Sequence, residues 1–263
     1  MSQNYFKSVL DNNVAKGDGV KRYDWRMVFI LLAWVTICFF TSQILLQWAV
    51  EVLLFVGVPL NSVNTSVLET VFAIIIYLMT ITFVIFLPYK VRKIHTTRSE
   101  IGVTRLPKWS DILLAPAGLV IYLIASSLLI LLATKVLPWF NVNQVQSTGF
   151  GQLSLRYEYI LAFLTLVVVA PIAEEIIFRG YLYGKLKKYV PAWVAIIATS
   201  LLFGAIHGAW NVFFDTFALS IVLCILREFT ENIWSSILLH MLKNGIAFFI
   251  LFIYPTLLTT LVK

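Results

Sequence analysis

The chain has 263 residues, 60% of them hydrophobic and only 13% charged, with a mean hydropathy of +0.89. These proportions exclude a soluble globular domain, and apolar runs of about 20 residues joined by short polar connections indicate a polytopic bundle of helices rather than a barrel of short alternating strands. The formal charge of +7 sits in the connections between apolar runs, where it orients the chain and meets anionic headgroups, so nucleic acid is excluded as a partner.

Residues 1–26 are polar and carry Lys7, Lys16, Lys21, Arg22 and Arg26 without the apolar core of a cleavable signal. They read as a cytoplasmic segment ahead of a retained first span from about Met27 to Val50, which turns at Gly57-Val58-Pro59. A second span covers about Val67 to Leu87. The connection from Pro88 to Asp111 holds Lys90, Arg92, Lys93, Arg98, Arg105 and Lys108 and is the most basic in the chain, so the positive-inside rule puts it and the amino terminus in the cytoplasm. His95 within it reads as a solvated side chain. A third span, about Ile112 to Leu137, leads to a polar connection poor in cations, reaching Tyr157.

The fourth span starts near Glu158 and ends at Arg179-Gly180, before Lys185, Lys187 and Lys188. A fifth apolar segment runs from about Pro191 to His207, a sixth from Val212 to Leu226, and the last from Ile233 to Tyr254. The fold expected is therefore an all-α transmembrane bundle of seven to eight spans. It is an integral membrane protein, expected in a bacterial cytoplasmic membrane. Cys38 and Cys224 both fall inside apolar segments and suggest neither a disulfide framework nor a cysteine-rich metal site.

Ionisable groups at bilayer depth are costly and mark function by default. In the fourth span, Glu175 and Arg179 are four apart and can pair on one helix face, whereas Glu174 points about 100° away. Glu174 is then left to face a cavity, as a general base must, while Pro171 frees the carbonyl of Val167 and can bend the span. The alternative is that all three merely form the charged end of the helix. His240 and Asn244 are also four apart and can aim donors at one oxygen, as in an oxyanion hole; His207 ends the fifth segment. Gly204 and Gly208 would allow that segment close packing. Lys243 lies off the His240 face and pairs elsewhere or snorkels, and Asp215 reads as an outer-interface acid.

Glu174-Glu175-x-x-x-Arg179, then Phe203-x-x-x-His207, then His240-x-x-x-Asn244, with Phe178-Arg179-Gly180-Tyr181-Leu182, resemble the CPBP family of CAAX-protease and bacteriocin-processing membrane peptidases, also called Abi. The resemblance covers about Tyr159 to Phe249. It implies an endopeptidase core at 158–254, preceded by membrane helices at 27–157 and followed by a tail at 255–263. It further implies that Glu174, helped by His207, activates a water, that His240 and Asn244 hold the carbonyl oxygen, and that Glu175 and Arg179 give support. The substrate would be a protein or peptide at the membrane.

Some members are linked to bacteriocin immunity. Zinc on Glu174, His207 and His240 is the alternative to a metal-free mechanism, although the chain has no His-Glu-x-x-His and one glutamate does not readily serve as both ligand and base. Two other functions fit the same residues: a non-catalytic interaction or bacteriocin self-immunity protein, and a proton-coupled carrier using Glu174, His207 and His240 as a relay.

Overall fold

The computed structural model describes residues 23–141, 149–151 and 153–255. The expected segments 1–26 and 255–263 lie almost entirely outside the described residues, as does much of the polar connection before Tyr157.

Among the described residues, eight helices of four residues or more follow one another: α1 (Arg26–Phe55), α2 (Thr65–Arg92), the single turn α3 (Arg98–Ile101), α4 (Trp109–Val136), α5 (Arg156–Leu186), α6 (Ala192–Ala205), α7 (Trp210–Thr230) and α8 (Trp234–Ile253). Among the described residues, α1, α2, α4, α5 and α8 are long and apolar enough to cross a bilayer. All seven expected segments appear as helices in the expected order, but they differ in reach. At 1.5 Å per residue the 14 residues of α6 rise about 21 Å, short of a hydrocarbon core of about 30 Å. The 21-residue α7 carries Asp215, Arg227 and Glu228.

Helix ends follow local chemistry. The Asn64 side chain accepts from the Ser66 N–H at 2.9 Å and starts α2, and Lys93 closes it in the left-handed region at φ 53°. Thr97 and Glu100 form a reciprocal capping box around α3. Gly208, at φ +73°, reverses the chain between α6 and α7; a Cβ there would meet nothing, so its use is the turn rather than the packing expected of it. Gly204 does provide close packing, against the Phe213 ring and carbonyl.

The apolar interior has two main parts. One gathers Val35, Val84, Phe178, Leu182, Leu186 and Phe203 from α1, α2, α5 and α6. The other gathers Tyr122, Leu219, Leu223 and Leu239 from α4, α7 and α8. On the outside, α1 and α6 border an apolar recess of about 570 Å³ lined by Trp25, Leu32, Trp193 and Ile197.

The basic connection is not the loose loop its composition suggests. Gly180 and Gly184 present a bare strip of α5 on which α3 sits: a Cβ at Gly180 would meet Ile101, and one at Gly184 would meet the Glu100 carbonyl. Lys185 bonds the His95 carbonyl and the Glu100 carboxylate, each at 3.0 Å, and Lys188 also pairs with Glu100. From α7, Arg227 donates to the carbonyls of Ser99 and Glu100 at 3.3 and 3.2 Å. Trp234 donates to the Arg105 carbonyl at 2.7 Å, and Arg105 pairs with the buried Asp111. His95 itself is exposed and packs edge-on to Tyr89, as a solvated histidine would.

Candidate active site

Helix α5 carries two wide stretches with i→i+5 hydrogen bonding, Leu164–Val169 and Ile176–Leu182, on either side of the short α-helical stretch Ala170–Glu175. Such expansions recur at functional sites. In the first, the Ala170 N–H reaches the Thr165 carbonyl. The next bond in that register would join residue 171 to the Leu166 carbonyl, but Pro171 has no N–H to give. The Asn244 side chain supplies the donor instead, bonding the Leu166 carbonyl at 2.9 Å. The wide turn thus shifts the orphaned carbonyl one residue back from Val167, where an ordinary helix would have put it, and ties α8 to α5 there.

Glu175 and Arg179 pair at 2.9 Å with both side chains 0% exposed, which overturns the reading of this pair as a charged helix end. The same Glu175 oxygen lies 2.9 Å from Nδ1 of His240. A carboxylate held by a guanidinium is an acceptor, so His240 donates from Nδ1 and turns Nε2 the other way. There Nε2 lies 3.7 Å from Oε2 of Glu174, beyond direct bonding but close enough for one water oxygen to bond both at roughly 2.8 Å. Glu174 is 15% exposed, and its other oxygen accepts from the Tyr77 hydroxyl at 2.5 Å. The adjacent glutamates therefore point apart, as their 100° offset requires.

His207 stands at the end of α6 with Nδ1 2.7 Å from the Phe203 carbonyl. A carbonyl only accepts, so Nδ1 carries the proton and the neutral ring has its lone pair on Nε2. Phe203, fully buried, is the hub that relates the parts. Its ring lies 4.3 Å from the Arg179 guanidinium, 5.0 Å from His207 and 5.9 Å from His240. His207 also lies within electrostatic reach of Glu174, Lys243 and His240.

The structure thus brings Glu174, Glu175, Arg179 and His240 into contact, joins His207 to them through Phe203, and places Asn244 one turn of α8 beyond His240. Among the described residues, no three His, Cys, Asp or Glu side chains gather closely enough to hold a metal ion.

Two features escaped the sequence. Tyr77, from α2, bonds Glu174; the only sequence signal was a phenol in an apolar span, which needs a partner when buried. Asp215 is not a simple interface acid: it accepts from Tyr122 and Ser126, each at 2.6 Å, and lies 3.5 Å from Lys243. The spacing of Tyr122 and Ser126, four apart on α4, was the available clue.

A family model described as "Type II CAAX prenyl endopeptidase Rce1-like" matches residues 156–246, the stretch from α5 into α8. "Putative membrane peptidase YdiL" of Bacillus subtilis (strain 168) is 31% identical over 77 residues, covering 29% of this chain and 32% of the relative. "Uncharacterized protein YpbD" of the same organism is 27% identical over 132 residues, 48% of this chain and 65% of the relative. "UPF0177 protein YbdI" of Lactococcus lactis subsp. lactis (strain IL1403) is 32% identical over 80 residues, 30% of this chain and 42% of the relative. The matches therefore span between about a third and two thirds of these relatives' lengths. No solved structure matches. Over residues 156–246, this integral membrane protein is thus similar to the Rce1-like CAAX endopeptidases, in line with the CPBP resemblance of its motifs.

Proposed function

We propose that the protein is a membrane-embedded endopeptidase in which Glu174 activates water. The observation that supports this most directly is the placement of Oε2 of Glu174, 3.7 Å from Nε2 of His240, over a fully buried Glu175–Arg179 pair that fixes the histidine. In the step envisaged, Glu174 takes a proton from a water while the water oxygen bonds the peptide carbonyl carbon and the carbonyl electron pair moves onto its oxygen. His207 accepts from the same water through Nε2. In this scheme His240 acts as the imidazolium, with Nδ1–H on Glu175 and Nε2–H on the oxyanion, and the second N–H of the Asn244 amide is the other donor there, a role in which one donor contributes about 3 to 4 kcal/mol. Collapse of the tetrahedral species breaks the C–N bond, and the proton on Glu174 passes to the departing amine.

No metal enters this scheme. The substrate is a protein or peptide reaching the site from the membrane, and the basic end with α3 faces the cytoplasm, in keeping with the positive-inside rule. The test is to compare membrane-proteome peptides of cells carrying wild type and Glu174→Gln. Loss of a defined set of cleavage products in the variant, at unchanged membrane level of the protein, supports the reading. Identical peptide sets would sink it. Wild-type cleavage by the purified protein should survive 1,10-phenanthroline; loss restored by zinc would replace the metal-free scheme.

A further inference from the structure

Polar contacts recur along the whole length of the α2–α5 boundary. Asn64 donates to Glu158 at 2.6 Å, Thr165 bonds Thr70 at 3.2 Å, and Tyr77 donates to Glu174 at 2.5 Å. The two helices run parallel, yet the sequence offset between partners grows from 94 to 95 to 97. Helices of equal rise would keep it constant. The wide turn Leu164–Val169 lies in the interval from Thr165 to Glu174, where the offset grows from 95 to 97 and Glu174 comes opposite Tyr77. The Tyr77 ring is itself packed against the core shared by α1, α2, α5 and α6, which fixes where its hydroxyl points. Helix α2 lies outside the segment 156–246 that matches the family model.

We infer that Tyr77 is a positioning residue for the proposed reaction: by occupying Oε1 of Glu174 it fixes the carboxylate plane and leaves Oε2, the oxygen facing His240, as the one that takes the proton from water. Its O–H bond stays intact throughout. The inference rests on the reading of Glu174 as the base. A hydroxyl serving only to satisfy a buried phenol would share the same bond, and the two roles separate in kinetics. Misplacing a reacting group by about 1 Å can cost on the order of 100-fold in rate without touching substrate affinity.

The experiment uses the full chain in phosphatidylcholine–phosphatidylglycerol vesicles with a quenched fluorescent prenylated CAAX peptide. Tyr77→Phe should lower kcat by on the order of 100-fold while KM stays within about twofold and the melting temperature is held. Wild-type kcat in Tyr77→Phe, alongside an inactive Glu174→Gln, overturns the inference and leaves the base reading standing. Full activity in Glu174→Gln overturns both. A second measurement needs neither a substrate nor a folded Tyr77 variant. The infrared difference between wild type and Glu174→Gln should contain a tyrosine C–O band, identified by ring labelling, beside the carboxylate bands. A carboxylate signal alone refutes the inference.

Discussion

Arg179 shows what a single side chain must do in this interior. It has no exposure, it bonds Glu175, and its guanidinium lies over Phe203. Removing it leaves a carboxylate buried without its cation, a loss typically of about 3–5 kcal/mol. Arg179→Met should therefore melt well below wild type in detergent, and adding Glu175→Gln should recover part of the difference; an unchanged melting temperature in the single variant would show that the pair is dispensable. Spacing made much of this group legible, because side chains four apart share a helix face, and both Glu175 with Arg179 and His240 with Asn244 obey that rule. Tyr77 obeyed no such rule. It belongs to a different helix, its sequence separation from Glu174 is 97, and nothing within α2 distinguishes it from any other phenol in an apolar run.

At the scale of elements, order and approximate bounds could be read from hydropathy, whereas the register of α5 could not. No residue type encodes an i→i+5 turn, so the orphaned carbonyl was expected at Val167 and occurs at Leu166. Likewise the charge of the connection before α4 was plain, but its docking depends on Gly180 and Gly184 being bare where α3 approaches. That docking carries its own pH dependence. Burial alone would raise the Glu100 carboxyl, but Lys188, the Thr97 N–H and Lys185 together hold it down at about 2, from an ordinary 4.5. A depressed carboxylate adds stability that is complete above the ordinary value and is lost as pH falls through the folded one. Hydrogen exchange in residues 93–108 should accordingly accelerate as pH drops from about 4.5 toward 2, after correction for intrinsic rates, and Glu100→Gln should weaken that dependence around α3 while the part set by Asp111 on Arg105 and Lys108 remains. Protection that stays constant across the window would contradict it.

The molecule as a whole joins two apolar packs through polar contacts: Glu175 to His240, Asn244 to the α5 backbone, and Asp215 with Lys243 binding α4, α7 and α8. Hydropathy reveals that such a chain lives in a bilayer but not how unevenly it fills one. The uneven element is α6, whose Trp193, Ile197 and Leu201 face outward although the helix rises only about 21 Å. Lipid beside a short hydrophobic wall thins to match it, at a cost that grows with acyl-chain length. Water and headgroups are thereby drawn closer to the end of α6 where His207 stands. Turnover in the proposed reaction should consequently be faster in bilayers of 14-carbon phospholipids than in those of 22-carbon ones at equal fluidity, and a thickness-independent rate would argue against it. The protein would then shape its own solvent, keeping the membrane locally shallow where the proposed hydrolytic site has to be wet.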